Sequence, residues 1–253
     1  MFLMKKSFWV VTLGLLILLG ACALIQQPVS FDPFADESLL VYFPFDGTLE
    51  GIVKGATATA ITCGSTIGTP GGTITYVEGK KGEAAVFDGT SGVVLPDDIV
   101  NDYDYTIAFW VNMHAFTDHT PTVFGSSEVG WISYMVPKPW WRNPGEPAIW
   151  SLSGEQWSTY EMDTLLSSNT WYHVAIVVDE GNPKAYVNGA TVSLSSIEGL
   201  PLPDIFTDAT ATIAVGVNYW DPPFQGMIDE LFIFDRSLSR SEILTLYNLG
   251  YGE

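Results

Sequence analysis

The chain is short of cysteine, basic residues and histidine, and each shortage excludes a class of protein. Two cysteines, Cys22 and Cys63, are too few for a disulfide framework. Ten Lys and Arg stand against 29 Asp and Glu, for a net charge of −19. So acidic a chain argues against nucleic acid and against anionic membrane surfaces as partners. His114, His119 and His173 are scattered singly, without metal-ligand spacing. No glycine-rich phosphate loop leads from a strand into a helix. The longest apolar run, Phe8 to Gly20, is too short for a comfortable membrane span.

Aromatic residues and carboxylates, by contrast, are plentiful. Nine Trp, eleven Tyr and fourteen Phe exceed what a core of this size needs, which leaves some for surface contacts. The many carboxylates offer oxygen ligands for calcium.

The pattern of the chain is that of strands. Its clearest stretch is Asn169 to Leu194, read as three strands on two turns. Trp171 to Asp179 is rich in Val, Ile, Tyr and Trp, which suit a pleated surface. It is apolar at both parities, as a strand covered on both faces would be. Asn188-Gly189 is the residue pair that a type I′ hairpin turn favours. Tyr105 to Met113 alternates, with Ile107, Phe109 and Val111 on one side. Further strands are expected at Ser38 to Phe45, Ala84 to Phe87, Gly92 to Leu95, Thr122 to Phe124, Trp131 to Val136, Ala211 to Val217 and Gly226 to Phe234. Pro44 demotes the first of these to an edge position or a strand end. Residues 50 to 75 read as a weakly patterned meander, and residues 137 to 168 break the regularity while concentrating tryptophan. Ser239-Arg240-Ser241-Glu242 fits a capping box opening a short helix, with Ile243, Leu246 and Tyr247 as its apolar stripe and Gly250 at its end.

Ahead of the domain, Lys5 and Lys6 precede the apolar run, as in an export signal. Leu19-Gly20-Ala21-Cys22 resembles the bacterial lipoprotein lipobox. That resemblance implies a signal peptide over residues 1 to 21, lipidation of Cys22 and an exported protein held to the cell envelope by a lipid anchor in the membrane. In a Gram-negative cell, Ala23 after the cysteine fits transfer to the outer membrane. Residues 22 to 37 read as a tether and residues 38 to 253 as the domain. Cys63 then stands alone, and burial is the expectation for it.

Four motifs appear in one order: YFPFDG, AAVFDGTSGVVL, the YTIAFWV to WYHVAIVVD core with AYVNG, and GMIDELFIFDRSLSRSEILTLYN. Together they resemble the laminin-G-like, concanavalin A-like lectin/glucanase jellyroll domains of exported bacterial proteins. The resemblance implies an all-β fold, an antiparallel two-sheet jellyroll sandwich, closed here by the short C-terminal helix. First and last strands would lie near each other. It also implies binding of glycans or of other proteins, and in many members a calcium ion. By that resemblance the calcium ligands would be Asp46 and Asp229, a structural site pinning the first strand to the last. The alternative is that Asp46 caps a turn and Asp229 pairs with a backbone amide or a basic side chain. Asp88 offers a weaker version of the same arrangement.

Two aromatic loops are the candidate ligand site. Trp140, Trp141, Arg142 and Asn143 lie in a proline-stiffened loop, and Tyr219 and Trp220 in a second. Sugar rings present apolar C–H faces that stack on indoles, while Arg and amides bind hydroxyls. Function often sits on loops of a rigid sandwich. Trp110 and Trp171, inside regular strands, read as core. Glucanases of this fold class carry Glu-x-Asp-x-(x)-Glu on one strand. Glu161-Met162-Asp163 lacks the last Glu, and Asp229-Glu230 lacks the first, so that pair of catalytic carboxylates is not found. The resulting reading is a non-catalytic domain that binds a polysaccharide or other glycan. A protein-binding, adhesive module on the cell surface and a diverged glycoside hydrolase are the alternatives. Glycan binding predicts an exposed, coplanar Trp pair, adhesion a broad apolar patch, and an enzyme two carboxylates roughly 5 to 10 Å apart in the cleft.

Overall fold

A computed structural model describes residues 31–97 and 99–250. The signal peptide, Cys22 and residues 22–30 of the expected tether lie outside the described residues. In chain order the strands are β1 (Leu39–Phe43), β2 (Glu50–Val53), β3 (Ala56–Thr59), β4 (Ile61–Cys63), β5 (Thr75–Glu78), β6 (Glu83–Asp88), β7 (Gly92–Val94), β8 (Tyr105–Met113) and β9 (Val123–Ser127). They continue as β10 (Gly130–Val136), β11 (Ala148–Ser153), β12 (Gln156–Met162), β13 (Trp171–Asp179), β14 (Asn182–Val187), β15 (Ala190–Val192), β16 (Leu194–Ser196), β17 (Thr212–Val215) and β18 (Gln225–Phe234), and helix α1 (Arg240–Leu249) follows.

They form two antiparallel sheets, the sandwich the motifs imply. The first runs β15-β14-β13-β8-β18-β1-β2-β3, with β6 also on β18 and β5 on β6. The second runs β16-β12-β11-β10-β9-β17-β7-β4. First and last strands pair directly, Tyr42 opposite Phe232 and Phe43 opposite Leu231. Pro44 therefore follows a strand end and does not mark an edge. Both turns of the central meander take the left-handed conformation at consecutive residues, Glu180-Gly181 (φ 46° and 75°) and Asn188-Gly189 (φ 51° and 72°). That geometry matches the twist of the flanking strands.

The two parities of β8 and β13 have different covers. Ile107, Phe109, Val111, Val174, Ile176 and Val178 belong to the core between the sheets, with Ile132, Tyr134 and Ile149 of the second sheet. Ala108, Ala175 and Val177 face outward, where Leu238, Ile243 and Leu246 cover them together with Phe232 and Phe234. Trp110 is buried there too, its indole stacked 5.5 Å from the ring of Tyr247. Trp171, expected in the core, is only half-buried. Cys63 is buried in a small cluster with Ala214 and Val217, and burial pushes its thiol pKa up.

The helix starts as its capping box requires. Ser239 Oγ accepts from Glu242 N, and the Glu242 carboxylate accepts from Ser239 N at 2.6 Å. Its final glycine has another purpose than a left-handed cap: Gly250 is right-handed (φ −71°). A Cβ there would fall 2.3 Å from the Trp110 indole nitrogen, so the helix end can approach the sheet only at a glycine.

Two expectations are corrected. Residues 137–168 are not a break in the sheet, since they contain β11 and β12, joined by a tight turn at Gly154 (φ 58°). The domain also begins before residue 38. Phe31 packs 6.1 Å from Phe234, Phe34 meets Tyr42 edge-on at 4.9 Å, and Asp36 pairs with Arg236, which also holds Glu242. Residues 31–37 thus seal the outer face of the first sheet beside the helix. A protein starting at Ser38 should lose about 2 kcal/mol of unfolding free energy relative to one starting at Phe31, from two half-buried rings. Urea titration measures this; equal midpoints would return residues 31–37 to the tether.

Candidate functional site

Among the described residues no helix lies over the outer face of the second sheet. On β10, β11 and β12 the residues pointing into the sandwich include Ile132, Tyr134, Ile149 and the buried serines Ser151 and Ser158. The alternate, outward residues are Trp131, Trp150, Leu152, Trp157, Thr159 and Glu161. Register puts them side by side: Ser133, Trp150 and Thr159 in one row, Trp131, Leu152 and Trp157 in the next. Trp150 and Trp157 stack at 5.3 Å with their planes 19° apart. Trp131 meets both edge-on, at 5.5 and 5.8 Å.

Trp140 and Trp141 stand at one side of this floor. Trp140 is 71% exposed. Trp141 packs on Trp150 at 5.5 Å, and its indole N–H donates to Glu161 at 2.9 Å. The two rings are nearly perpendicular (79°), so Trp140/Trp141 is not a coplanar pair; the near-parallel pair is Trp150/Trp157, whose rings stack. Together with Thr159, Ile197 and Glu198 they line a groove of about 450 Å³. Glu198 is fixed there, accepting from Thr159 N at 2.7 Å and Thr159 Oγ1 at 3.1 Å. Arg142 and Asn143 do not reach the groove lining. Arg142 lies near Glu146 (3.7 Å) and Glu161 (4.0 Å), and Asn143 closes a turn on Glu146.

Tyr219 and Trp220 stand at the other side of Trp131, which touches Trp220 at 5.4 Å. They are 45% and 52% exposed. Asn218 holds their loop, accepting from Trp220 N and Asp221 N and donating to Asp221. His119, in a left-handed conformation (φ 64°), sits 5.4 Å from Trp150 and 3.7 Å from Asp221. Burial raises the pKa of Asp221. The two loops predicted from sequence therefore join one face, but through Trp150 and Trp131, which were not among the candidates.

The expected calcium ligands lie elsewhere, on the first sheet. Asp229 is fully buried at a bulge of β18, where Glu230 adopts φ 51°. Its Oδ2 accepts from Lys80 N and Lys81 N, at 2.7 and 3.0 Å. Asp46 Oδ1 accepts from Glu83 N at 2.7 Å. The turn at residues 79–82 thus docks between the two carboxylates, with glycines at the contacts because a Cβ at Gly79 or Gly82 would collide with them. Glu230 takes Tyr42 OH at 2.9 Å and Lys81 Nζ at 3.1 Å. Among the described residues no three His, Cys, Asp or Glu side chains form a metal-ligand group. One feature does fit a hard cation: Asp229 Oδ1 is buried without a partner, and backbone carbonyls can complete a calcium shell.

Burial, with the charges of Glu230 and Asp46 adding to it, raises the pKa of Asp229 to about 7. The folded state then holds a proton that the unfolded chain releases near pH 4. This group's contribution to stability is fully present below pH 4 and is lost as pH rises through 7, by on the order of 4 kcal/mol. In chelator, denaturant midpoints should fall across that window, and Asp229→Asn should remove most of the fall. A flat profile in the native protein would contradict the assignment.

Comparison with known proteins gives one family and a set of folds. The sequence matches the concanavalin A-like lectin/glucanases superfamily over residues 87–244. Among solved structures, domain 4 of a GH43 extracellular arabinanase from Geobacillus stearothermophilus, in complex with arabinotriose, is 36% identical. The match covers 83% of this chain and 98% of that one, with a TM-score of 0.72. The binding domain of botulinum neurotoxin serotype C1 (15% identity, TM-score 0.56, 84% of this chain and 52% of that one) shares the fold. So does the Trypanosoma rangeli sialidase (14%, TM-score 0.52, 86% of this chain and 34% of that one). Comparison with curated proteins gives no match.

Proposed function

Because this chain belongs to the concanavalin A-like lectin/glucanases superfamily, we propose that it is a carbohydrate-binding domain acting through the open aromatic face of its second sheet. The observation that carries this reading is the Trp150/Trp157 stack, walled by Trp140 and Trp141 in a groove of about 450 Å³. Outward tryptophans on a sheet face leave apolar surface in water, which makes sense where a sugar ring covers them. Hydroxyl partners are at hand in Thr159 and Glu198. The arabinotriose complex of the arabinanase domain supports an oligosaccharide as ligand.

The domain does no bond cleavage in this reading. Glu161 holds the Trp141 indole and Glu198 holds Thr159, so both carboxylates serve to fix the groove. The lipid anchor at Cys22 and the place on the cell envelope remain part of the proposal, resting on the lipobox. So does a structural calcium held by Asp46 and Asp229, for which Asp229 Oδ1 would be one ligand atom and backbone carbonyls would complete the shell. Excess calcium should then preserve at pH 7 the stability measured in chelator at pH 4. A protein partner is the second reading, favoured by Ile197, 55% exposed in the groove lining.

Affinity electrophoresis tests the main reading. The mature chain, with Cys22 replaced, is run in gels containing arabinan, xylan, mannan or β-glucan. At least one should retard it, and a Trp150→Ala/Trp157→Ala variant with near-native melting should bind at least about 30-fold more weakly. If no polysaccharide slows the folded protein, the protein-binding reading takes over.

A further inference from the structure

Beside the tryptophan groove runs a second depression, of about 320 Å³, lined among others by Ser126, Glu128, Trp131, Leu152, Tyr219 and Trp220. Trp131 is the ridge between them, touching Trp150 and Trp157 on one side and Trp220 on the other. From Trp140 through Trp141, Trp150, Trp131 and Trp220 to Tyr219, successive ring centroids are 5.8, 5.5, 5.5, 5.4 and 5.8 Å apart. The result is one apolar track crossing β12, β11, β10 and β9, longer than a single sugar. It is open at both ends, where Trp140 and the Tyr219/Trp220 pair are exposed.

Charge narrows the ligand further. Glu198 lines the first groove and Glu128 the second, with Glu161 behind Trp141 and Asp221 beside Trp220. The basic side chains near the track are held by carboxylates: Arg142 by Glu146 and Glu161, Lys138 by Asp118 at 2.6 Å. On a chain of net charge −19, a polymer of uronates or sulfate esters would meet like charge along the whole track.

From the continuity of the two grooves we infer that the face binds an internal stretch of a linear, uncharged polysaccharide, spanning both grooves, rather than a single sugar or a chain end. This rests on the carbohydrate-binding reading and specifies how much of the face is used. Two platforms engaged by one ligand add their free energies once the ligand is long enough to reach both. Affinity should therefore climb with chain length and then level off. The platforms should also be separable by mutation, because a short ligand needs only the Trp150/Trp157 floor.

The test is calorimetry of the mature chain with arabino-, xylo-, manno- and gluco-oligosaccharides, each from disaccharide to octasaccharide. The expected result is that at least one series binds, with affinity rising about tenfold or more between the trisaccharide and the hexasaccharide and little from there to the octasaccharide. Trp220→Ala should weaken the hexasaccharide about tenfold and leave the trisaccharide unchanged, while Trp157→Ala weakens both. Tyr219→Ala is the second probe of the same end, should Trp220→Ala unfold. Equal affinity for trisaccharide and hexasaccharide, or a hexasaccharide indifferent to both end variants, would overturn the spanning site and leave carbohydrate binding intact. Polygalacturonate binding as tightly as the neutral polymers would overturn the uncharged ligand. Failure of every series would remove both proposals.

Discussion

The structure depends on how its four sheet faces are covered. Two face each other and make the core. The outer face of the first sheet is closed by α1 and by residues 31–37, which converge on Arg236 through Glu242 and Asp36. That cover lets β8, β13 and β18 carry apolar side chains at both parities, and it buries Trp110 under Gly250 and Tyr247. The fourth face has no such cover among the described residues and is nonetheless rich in tryptophan. The asymmetry separates the scaffold from the proposed site: one sheet is spent on stability, and the other presents an aromatic surface.

Rigidity of that surface comes from hydrogen bonds within and beside it. Glu161 fixes the Trp141 indole, Glu198 is itself fixed by Thr159, and Asn218 pins the loop bearing Tyr219 and Trp220. Preorganised aromatics lose little freedom on binding, which is where such a face gains affinity. On the far side of the sandwich, Asp46 and Asp229 clasp the turn at residues 79–82 and so join the first and last strands through backbone amides.

Much of the scaffold was legible in the sequence. Both-parity apolarity in Trp171 to Asp179, the Asn188-Gly189 turn and the Ser239/Glu242 capping box each led to the observed element, because each reports a local rule that the tertiary structure obeys. The site was less legible for a physical reason. In β11 and β12 the usual pattern is inverted: Ser151 and Ser158 point inward, and Trp150 and Trp157 outward. Read by hydrophobicity, AIWSLSGEQWST looks irregular, although the Ser153-Gly154 turn between two alternating runs signals a hairpin. Local rules are broken where function requires it. The exposed loops, Trp140/Trp141 and Tyr219/Trp220, were easier to find because aromatic residues in a loop need no pattern to stand out. Arg142 and Asn143 were candidates from their position beside Trp141; in the structure Arg142 lies near Glu146 and Glu161, and Asn143 bonds Glu146.

The central claim, that sugar is bound on the open face of the second sheet, is tested most directly by NMR of the tryptophan indole N–H groups during titration with a binding neutral oligosaccharide. The account predicts saturable shifts at Trp131, Trp150, Trp157 and Trp220, with Trp110 unmoved under its helix. Saturable binding that shifts Trp110 or Trp171 and leaves Trp150 and Trp157 still would contradict it.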